Sequence, residues 1–274
     1  MHNAVPRSAM DVQVDARYPA DMERRDFRHD GLRFSFLDSG GDGDVLIALH
    51  AHLMEAVTYA PLAAALPKSR VVALDQRGHG YSDHARSYTR TDYIQDVKAL
   101  FEHLDLNEAV LLGNSLGGAN AYQFAARHPE RVRGLIIEDI GAEVRDDIGF
   151  VLAWEGQFST REALAECVGP RFLPYLQDSF RKTSGGWNLA FDVRDIVESQ
   201  KLLCGDHWQD WLATTCPALL IRGRESRVTT QDGMEQMVSR RPNTSLATLD
   251  GGHIVHFDNL PAFASAVQKF QDQL

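Results

Sequence analysis

The sequence G-N-S-L-G at residues 113–117 is the stretch that decides the fold. It follows an apolar run at residues 109–112 and precedes a helical pattern at residues 119–127. In such a strand–turn–helix, the serine lies on a sharp turn with its hydroxyl exposed above a sheet. The N-terminus of the following helix directs backbone N–H groups toward developing negative charge. The stretch therefore predicts that Ser115 is a nucleophile.

Further apolar runs on both sides of this turn predict the rest of the sheet. Continuous runs indicate strands buried on both faces, as in a parallel sheet covered by helices; they lie at residues 45–49, 71–74, 109–112, 135–137 and 218–221. Residues 32–37 alternate between apolar and polar, which is typical of a half-buried strand. Amphipathic patterns predict helices between the runs, one with Thr91 as its N-cap and a last one with Pro261 in its first turn. This alternation indicates a doubly wound α/β sheet.

One segment interrupts the alternation. Residues 142–213 show no strand pattern and contain ten of the 24 aromatic residues, including all four tryptophans. We interpret this segment as a helical cap, which can be a lid over a pocket, a subdomain with its own core, or both. The predicted core then comprises residues 26–141 and 214–274, after a polar lead-in segment at residues 1–25 that we expect to form a surface arm.

Three further motifs follow predicted strands. H-A-H at residues 50–52 lies where an oxyanion loop would be, D-Q-R-G-H-G-Y-S occupies residues 75–82, and G-G-H at residues 251–253 precedes the last helix. Together with the turn at residues 113–117, these motifs resemble those of the α/β-hydrolase-fold serine hydrolases. The resemblance covers about residues 26–274. It implies an eight-stranded, mostly parallel sheet with an α-helical cap inserted after the sixth strand.

A serine nucleophile requires a base and donors for the oxyanion. His253 is the predicted base because of its glycine-flanked position before the last helix, and His256 is the alternative. The backbone N–H groups of Leu116 and His52 are the predicted oxyanion-hole donors. Ala51 departs from the glycine that is usual in the family at this position, and alanine adopts fewer backbone conformations than glycine.

The H-x-H pattern of His50 and His52 also raises the possibility of a zinc site. No further ligand follows at a matching spacing, so we expect neither a metal nor a cofactor. We interpret His50 as a structural residue that holds its loop by a ring hydrogen bond. Arg77 and Asp83 are expected to stabilise turns rather than to take part in catalysis.

The acid that orients His253 is the least regular part of the pattern. The family usually places it after the seventh strand, where this chain has Ser226, and the neighbouring Glu225 is one residue out of phase. Asp139 ends the sixth strand, and a group of small bacterial esterases and their mitochondrial relatives resembles this arrangement. We therefore predict Asp139 as the acid, with Glu225 as the alternative, and expect Ser226 to share its hydrogen-bond network.

Composition limits the classes of function. The 274-residue chain has a net charge of −10, which argues against nucleic acids and anionic membranes as partners. No apolar run approaches the roughly 18 residues of a membrane span, and charged residues interrupt the N-terminal region where a signal peptide would need an apolar core. The cysteines form no C-x-x-C pair, so we expect three reduced, packed thiols in a cytoplasmic protein; they are Cys167, Cys204 and Cys216.

These observations predict a cofactor-independent serine hydrolase that acts on a small-molecule acyl substrate. We expect it to cleave a small or medium acyl ester or thioester through an acyl-enzyme on Ser115, and the aromatic cap indicates an apolar acyl or aryl pocket. Carbon–carbon bond hydrolysis, lactone opening and perhydrolysis use the same triad and stay open as alternatives. A ligand receptor with little turnover on the same fold is the alternative outside the enzymes.

Overall fold

A computed structural model describes residues 22–274 of the protein. Its strands are β1 (Glu23–His29), β2 (Leu32–Asp38), β3 (Asp44–Leu49), β4 (Ser69–Leu74), β5 (Ala109–Asn114), β6 (Val132–Glu138), β7 (Glu143–Val144), β8 (Phe180–Thr183), β9 (Gly186–Leu189), β10 (Gly205–Asp206), β11 (Ala218–Gly223) and β12 (Thr244–Leu249). Its α-helices are α1 (Ala60–Ala65), α2 (Arg90–His103), α3 (Leu116–Arg127), α4 (Arg161–Val168), α5 (Leu173–Leu176), α6 (Val193–Leu203), α7 (Trp208–Leu212), α8 (Gln231–Arg240), α9 (Val255–Asp258) and α10 (Leu260–Gln271). A short 3-10 helix, Ala56–Tyr59, leads into α1.

Eight of these strands form one sheet in the order β1-β2-β4-β3-β5-β6-β11-β12. The β1–β2 and β2–β4 pairs are antiparallel, and the other neighbours are parallel. The predicted eight-stranded, mostly parallel sheet is therefore confirmed, with β11 and β12 as its seventh and eighth strands. Because parallel strands end at the same edge, the loops after β3, β5, β6, β11 and β12 meet there.

Helices cover both faces of this sheet, which explains the continuous apolar runs. Along β3, Ile47 and Leu49 belong to the apolar cluster on one face, and Leu46 and Ala48 belong to the cluster on the other. The first cluster includes side chains of α2, α3 and α8, and the second includes those of α1 and α10. The last four side chains of β3 are therefore buried on both faces of the sheet, and burial stabilises by roughly 25 cal/mol per Å² of apolar surface.

Two helix boundaries differ from those that the sequence predicts. The N-cap of α2 is Thr89 rather than Thr91, because the Thr89 hydroxyl accepts from the Asp92 N–H while the Asp92 carboxylate accepts from the Thr89 N–H. Helix α3 begins at Leu116 rather than at residue 119, since the turn at Ser115 leads directly into it.

Strand β1 includes the last residues of the predicted lead-in segment. Its sequence ERRDFRH has a single buried residue, Phe27, so no strand pattern is visible before β1 pairs with β2. Arg24 donates to Asp75 Oδ2 at 2.6 Å, so this end of the segment is not a free surface arm. Residues 1–21 of the segment lie outside the described residues.

The segment at residues 142–213 lies outside the main sheet and combines helices with short strands. Strand β7 pairs with β10, and β8 pairs with β9. The expectation that this segment contains no strand is therefore wrong, because strands of two and four residues are too short to produce an alternating pattern. Its apolar side chains form a third cluster together with Ala51 and Met54. The segment thus packs on the loop after β3 and has an apolar core of its own.

Two expectations about surface and membrane can be compared with the structure. No helix formed by residues 22–274 is long and apolar enough to cross a membrane. The three cysteines are free, but Cys204 is exposed rather than packed, because it caps the C-terminal end of α6 at the surface.

Candidate active site

Ser115 lies on the turn between β5 and α3, with φ +52° and ψ −115°. A positive φ is unfavourable for a residue with a side chain and persists only where the surrounding structure imposes it. Glycine is required on both sides, because a Cβ at Gly113 would collide with the backbone of Gly117, and a Cβ at Gly117 would collide with that of Leu49. The Ser115 N–H donates to the Glu138 carbonyl oxygen at 3.0 Å. Close packing at the sheet edge therefore imposes the strained turn.

His253 and Asp139 form a hydrogen-bonded pair beside this turn. The distance from His253 Nδ1 to Asp139 Oδ2 is 2.7 Å, and Asp139 is fully buried. Ser226 Oγ donates to the same carboxylate oxygen, and Thr229 Oγ1 donates to Oδ1 at 2.6 Å. A carboxylate anchored in this way can hold the imidazole in one orientation and one tautomer, which leaves Nε2 for proton transfer.

Asp139 reaches His253 because β6 and β11 are parallel neighbours. It directly follows β6 with φ +50°, and its N–H donates to the Ile221 carbonyl in β11 at 2.8 Å. The alternative acid, Glu225, is exposed. Ser226, in the position after the seventh strand, contributes a hydroxyl to the Asp139 carboxylate instead of supplying a carboxylate itself.

Asn114 connects the nucleophile turn to the loop that carries His253. Its Nδ2 donates to the His253 carbonyl at 3.0 Å and to the Glu138 carbonyl at 3.2 Å. Asn114 could not be singled out from the sequence, because the position before the serine is variable in the motif. Thr229 gives no sequence signal either, since it lies 90 residues from the carboxylate that it contacts and belongs to no motif.

The two predicted oxyanion-hole donors are unpaired in the described part of the chain. Within residues 22–274, neither the Leu116 N–H nor the His52 N–H has a hydrogen-bond acceptor. The first N–H of a helix lacks an intrahelical partner, which explains why the Leu116 N–H is unpaired. The loop after β3 is ordered without the usual glycine, since the Ala51 carbonyl accepts from the Met54 N–H at 3.3 Å and from His50 Nδ1 at 2.7 Å.

The ring of His52 lines the cavity and binds the cap. Its Nε2 lies 2.9 Å from Ser199 Oγ in α6, and that hydroxyl lies 2.8 Å from the Tyr93 hydroxyl. Burial lowers the pKa of His52 well below its ordinary value of 6.5, so the ring is neutral at physiological pH. His52 therefore joins the oxyanion loop to the cap.

His50 uses both ring nitrogens inside the protein. Nδ1 donates to the Ala51 carbonyl, and Nε2 accepts from the Gln76 N–H at 3.0 Å. Burial lowers the pKa of His50 to about 4, which agrees with a neutral ring in these roles. Both ring nitrogens of His50, the first histidine of the H-x-H pattern, are therefore already hydrogen-bonded, one to its own loop and one to the loop after β4.

Arg77 and Asp83 lie in the turns after β4 and tie them to neighbouring elements. Arg77 Nε lies 2.6 Å from Asp96 Oδ2 in a buried ion pair with α2, and Asp83 Oδ2 accepts from the Arg33 N–H at 2.8 Å. Neither residue lines the cavity described below.

A cavity of about 720 Å³ is lined by Ser115 and His253. Apolar side chains of the cap form much of its wall; they are Ile148, Phe150, Phe172, Tyr175, Leu176 and Leu203. Its charged lining consists of three carboxylates and two guanidinium groups; they are Asp146, Asp147, Glu225, Arg171 and Arg227. All of these except Asp146 are exposed, and burial raises the pKa of Asp146. The cavity therefore combines an apolar wall with a charged rim.

The sequence of the chain matches a known family. The family model for the alpha/beta hydrolase fold matches residues 44–260. The chain belongs to this family. It is similar to the Bacillus subtilis (strain 168) protein named "Putative 2-succinyl-6-hydroxy-2,4-cyclohexadiene-1-carboxylate synthase", with 34% identity in a match that covers 88% of this chain and 95% of that protein.

Two further similarities involve a succinate hydrolase. The 2-(acetamidomethylene)succinate hydrolase of Mesorhizobium japonicum (strain LMG 29417 / CECT 9101 / MAFF 303099) is 25% identical over 85% of this chain and 89% of its own. A crystal structure of E-2-(acetamidomethylene)succinate hydrolase has a TM-score of 0.84 at 22% identity, over 92% of this chain and 99% of that chain. At the general level of an alpha/beta-hydrolase-fold hydrolase, the predicted function is confirmed.

Proposed function

We propose that this protein is a cofactor-independent serine hydrolase that cleaves a small or medium acyl ester or thioester. The observation that carries the proposal is the 2.7 Å contact between His253 and Asp139 at the cavity that Ser115 also lines. An acid–histidine pair beside a serine on a strained turn is the arrangement that activates a hydroxyl for acyl transfer.

In the proposed mechanism, Ser115 Oγ attacks the acyl carbon while His253 Nε2 accepts its proton. The carbonyl oxygen becomes an oxyanion that accepts hydrogen bonds from the Leu116 and His52 N–H groups. Asp139 stays ionised and stabilises the imidazolium. The imidazolium gives its proton to the leaving alcohol or thiol, and an acyl-enzyme forms on Ser115. Water then repeats the cycle, with its proton returning through His253 to Ser115 as the acid is released.

The size and wall of the cavity support an acyl substrate of small or medium length. Ligand sites of roughly 300–1,000 Å³ with mostly apolar walls are typical for small molecules. The hydrolase name of the M. japonicum relative supports bond cleavage by water. The synthase name of the B. subtilis relative keeps the other reactions of the same triad as alternatives, among them carbon–carbon bond hydrolysis, lactone opening and perhydrolysis.

Labelling with a fluorophosphonate tests the nucleophile. The probe is expected to add one phosphonyl group to the wild type, and Ser115→Ala is expected to abolish both labelling and turnover above the residual rate of the remaining site. That residual rate can still exceed the rate in water by about 10³–10⁴-fold, so the comparison is with the wild type. Labelling that persists in Ser115→Ala would contradict the proposal.

A substrate panel tests the reaction class. It comprises p-nitrophenyl esters from acetate to palmitate and the corresponding acyl-CoA thioesters. Multiple turnover with a maximum at short or medium chains is the expected result. Near-stoichiometric cleavage with no further turnover would instead identify a ligand receptor on the same fold.

A further inference from the structure

A second hydrogen-bonded network of a carboxylate, a histidine and a hydroxyl, which we call the buried network, lies next to the Asp139–His253 pair. Glu138 Oε2 is 2.7 Å from His256 Nδ1, and His256 Nε2 is 2.8 Å from Thr58 Oγ1. All three residues are buried, and none of them lines the cavity. The buried network repeats the order of the proposed triad but has no access to substrate. It can therefore affect the reaction only through other residues.

The residues of the buried network adjoin all the elements of the proposed site. Glu138 precedes Asp139, and its carbonyl oxygen accepts from the Ser115 N–H at 3.0 Å. His256 lies in α9, three residues after His253. Thr58 lies in the 3-10 helix Ala56–Tyr59, shortly after the oxyanion loop. The buried network therefore joins the end of β6, the loop that carries His253 and the segment that follows the oxyanion loop.

Two further contacts connect the buried network to the start of the oxyanion loop. The Tyr59 ring stacks on the His256 ring with centroids 4.5 Å apart. The Tyr59 hydroxyl donates to the carbonyl oxygen of Leu49, the last residue of β3, at 3.0 Å. The position of His256 is thus coupled to the strand end from which His52 follows.

The hydrogen bonds of the buried network leave His256 little freedom to move. Glu138 Oε1 accepts from the His256 backbone N–H at 2.9 Å, so both carboxylate oxygens are bound by one residue. Any shift of the histidine loop would leave a buried carboxylate without its partners, which is strongly unfavourable. Glu138 and Asp139 are adjacent, and their carboxylates contact two histidines that are three residues apart.

We propose that Glu138, His256 and Thr58 are positioning residues that set the distance between His253, the oxyanion loop and Ser115. This inference rests on the proposed function. Their loss is expected to slow the chemistry in correctly folded molecules, since a misplacement of about 1 Å can cost about 10²-fold in rate.

Active-site titration separates positioning from stability. Glu138→Gln and Thr58→Val are compared with the wild type by fluorophosphonate titration and by kcat per titrated site on a p-nitrophenyl ester. The expected result for Glu138→Gln is an unchanged number of sites, a kcat per site lowered by about 10–100-fold, a nearly unchanged KM and a slower phosphonylation rate. Thr58→Val is expected to lower kcat per site less, and Thr58→Ser, which keeps the hydroxyl, to restore it.

Asp96→Asn is the matched control, because it removes the carboxylate of the buried pair with Arg77 away from the cavity. It is expected to reduce stability with a normal kcat per site. If Glu138→Gln behaves in the same way, or loses sites without slowing those that remain, the positioning role is wrong while the proposed function stands. If Glu138→Gln does not fold, the Thr58 variants decide, and equal kcat per site in Thr58→Val and Thr58→Ser would overturn the inference. Persistent labelling of Ser115→Ala would instead overturn the proposed function.

Discussion

The Asp139–His253 and Glu138–His256 pairs have the same chemistry and the same 2.7 Å contact, but they differ in access to the cavity. The His253 side chain is 28% exposed, whereas that of His256 is 1% exposed. The contact between carboxylate and histidine alone therefore does not separate a candidate base from a positioning residue. Access to the cavity makes the difference, because a base must reach the proton that it transfers.

The largest expected difference between the two pairs is in turnover. Asp139→Asn is expected to lower kcat by up to about 10⁴-fold with little loss of fold, because the amide favours the wrong tautomer of His253. Glu225→Gln is expected to change kcat only slightly, since Glu225 is exposed. Steady-state kinetics and circular dichroism of the two variants provide the measurement. The opposite ranking would show that the acid comes from the loop after β11.

The cap side of the cavity is expected to affect substrate choice rather than chemistry. Phe172 lines the cavity and packs on Phe150 and Trp154, with ring centroids 5.0 Å and 5.2 Å away. Phe172→Ala is expected to reduce kcat/KM for medium-chain esters by about 10-fold, because it removes apolar contact worth roughly 1.5–3 kcal/mol when fully buried. Hydrolysis of p-nitrophenyl acetate provides the control and is expected to stay within about 2-fold. An equal loss for every ester would indicate damage to folding or to the triad.

The last expected effect is on stability rather than on activity, and it concerns His79, which is enclosed away from the cavity. Burial lowers its pKa to about 3, whereas an unfolded histidine titrates near 6.5. Below pH 6.5 the unfolded state takes up a proton that the folded state does not. The stability that the neutral ring contributes is therefore present above pH 6.5 and is lost progressively as the pH falls toward 3.

Urea denaturation of the wild type and His79→Gln at pH 7, 6 and 5 measures this linkage. The difference in free energy of unfolding, wild type minus variant, is expected to fall by at most about 1.4 kcal/mol per pH unit. Comparison with the variant cancels the titration of other groups, including Glu55, whose pKa burial raises to about 7. Parallel pH profiles for the two proteins would contradict a neutral buried His79.

Some elements could be predicted because their signals are local. Continuous apolar runs indicate buried parallel strands wherever they occur, and the glycines around Ser115 reflect a turn that no other residue allows. Asp139 could be predicted because it follows the sixth strand, as in the group of small bacterial esterases that this arrangement resembles. Strand β1 could not, since only Phe27 is buried and the rest depends on pairing with β2.

By itself, the sequence determined where most strands of the main sheet lie along the chain and the turn at Ser115, because periodicity and turn chemistry act over a few neighbouring residues. The resemblance to the α/β-hydrolase-fold serine hydrolases added the other candidate residues at the sheet edge. The tertiary structure alone decided the contact of His52 with the cap, the hydroxyl of Thr229 on Asp139 and the buried partners of His256. These contacts join residues about 90 to 200 positions apart, and only the packing of the sheet, its loops and the cap brings such residues within hydrogen-bond distance. The separation of a histidine that faces the cavity from one that is sealed behind it is therefore a property of the fold, although both belong to one short stretch of sequence.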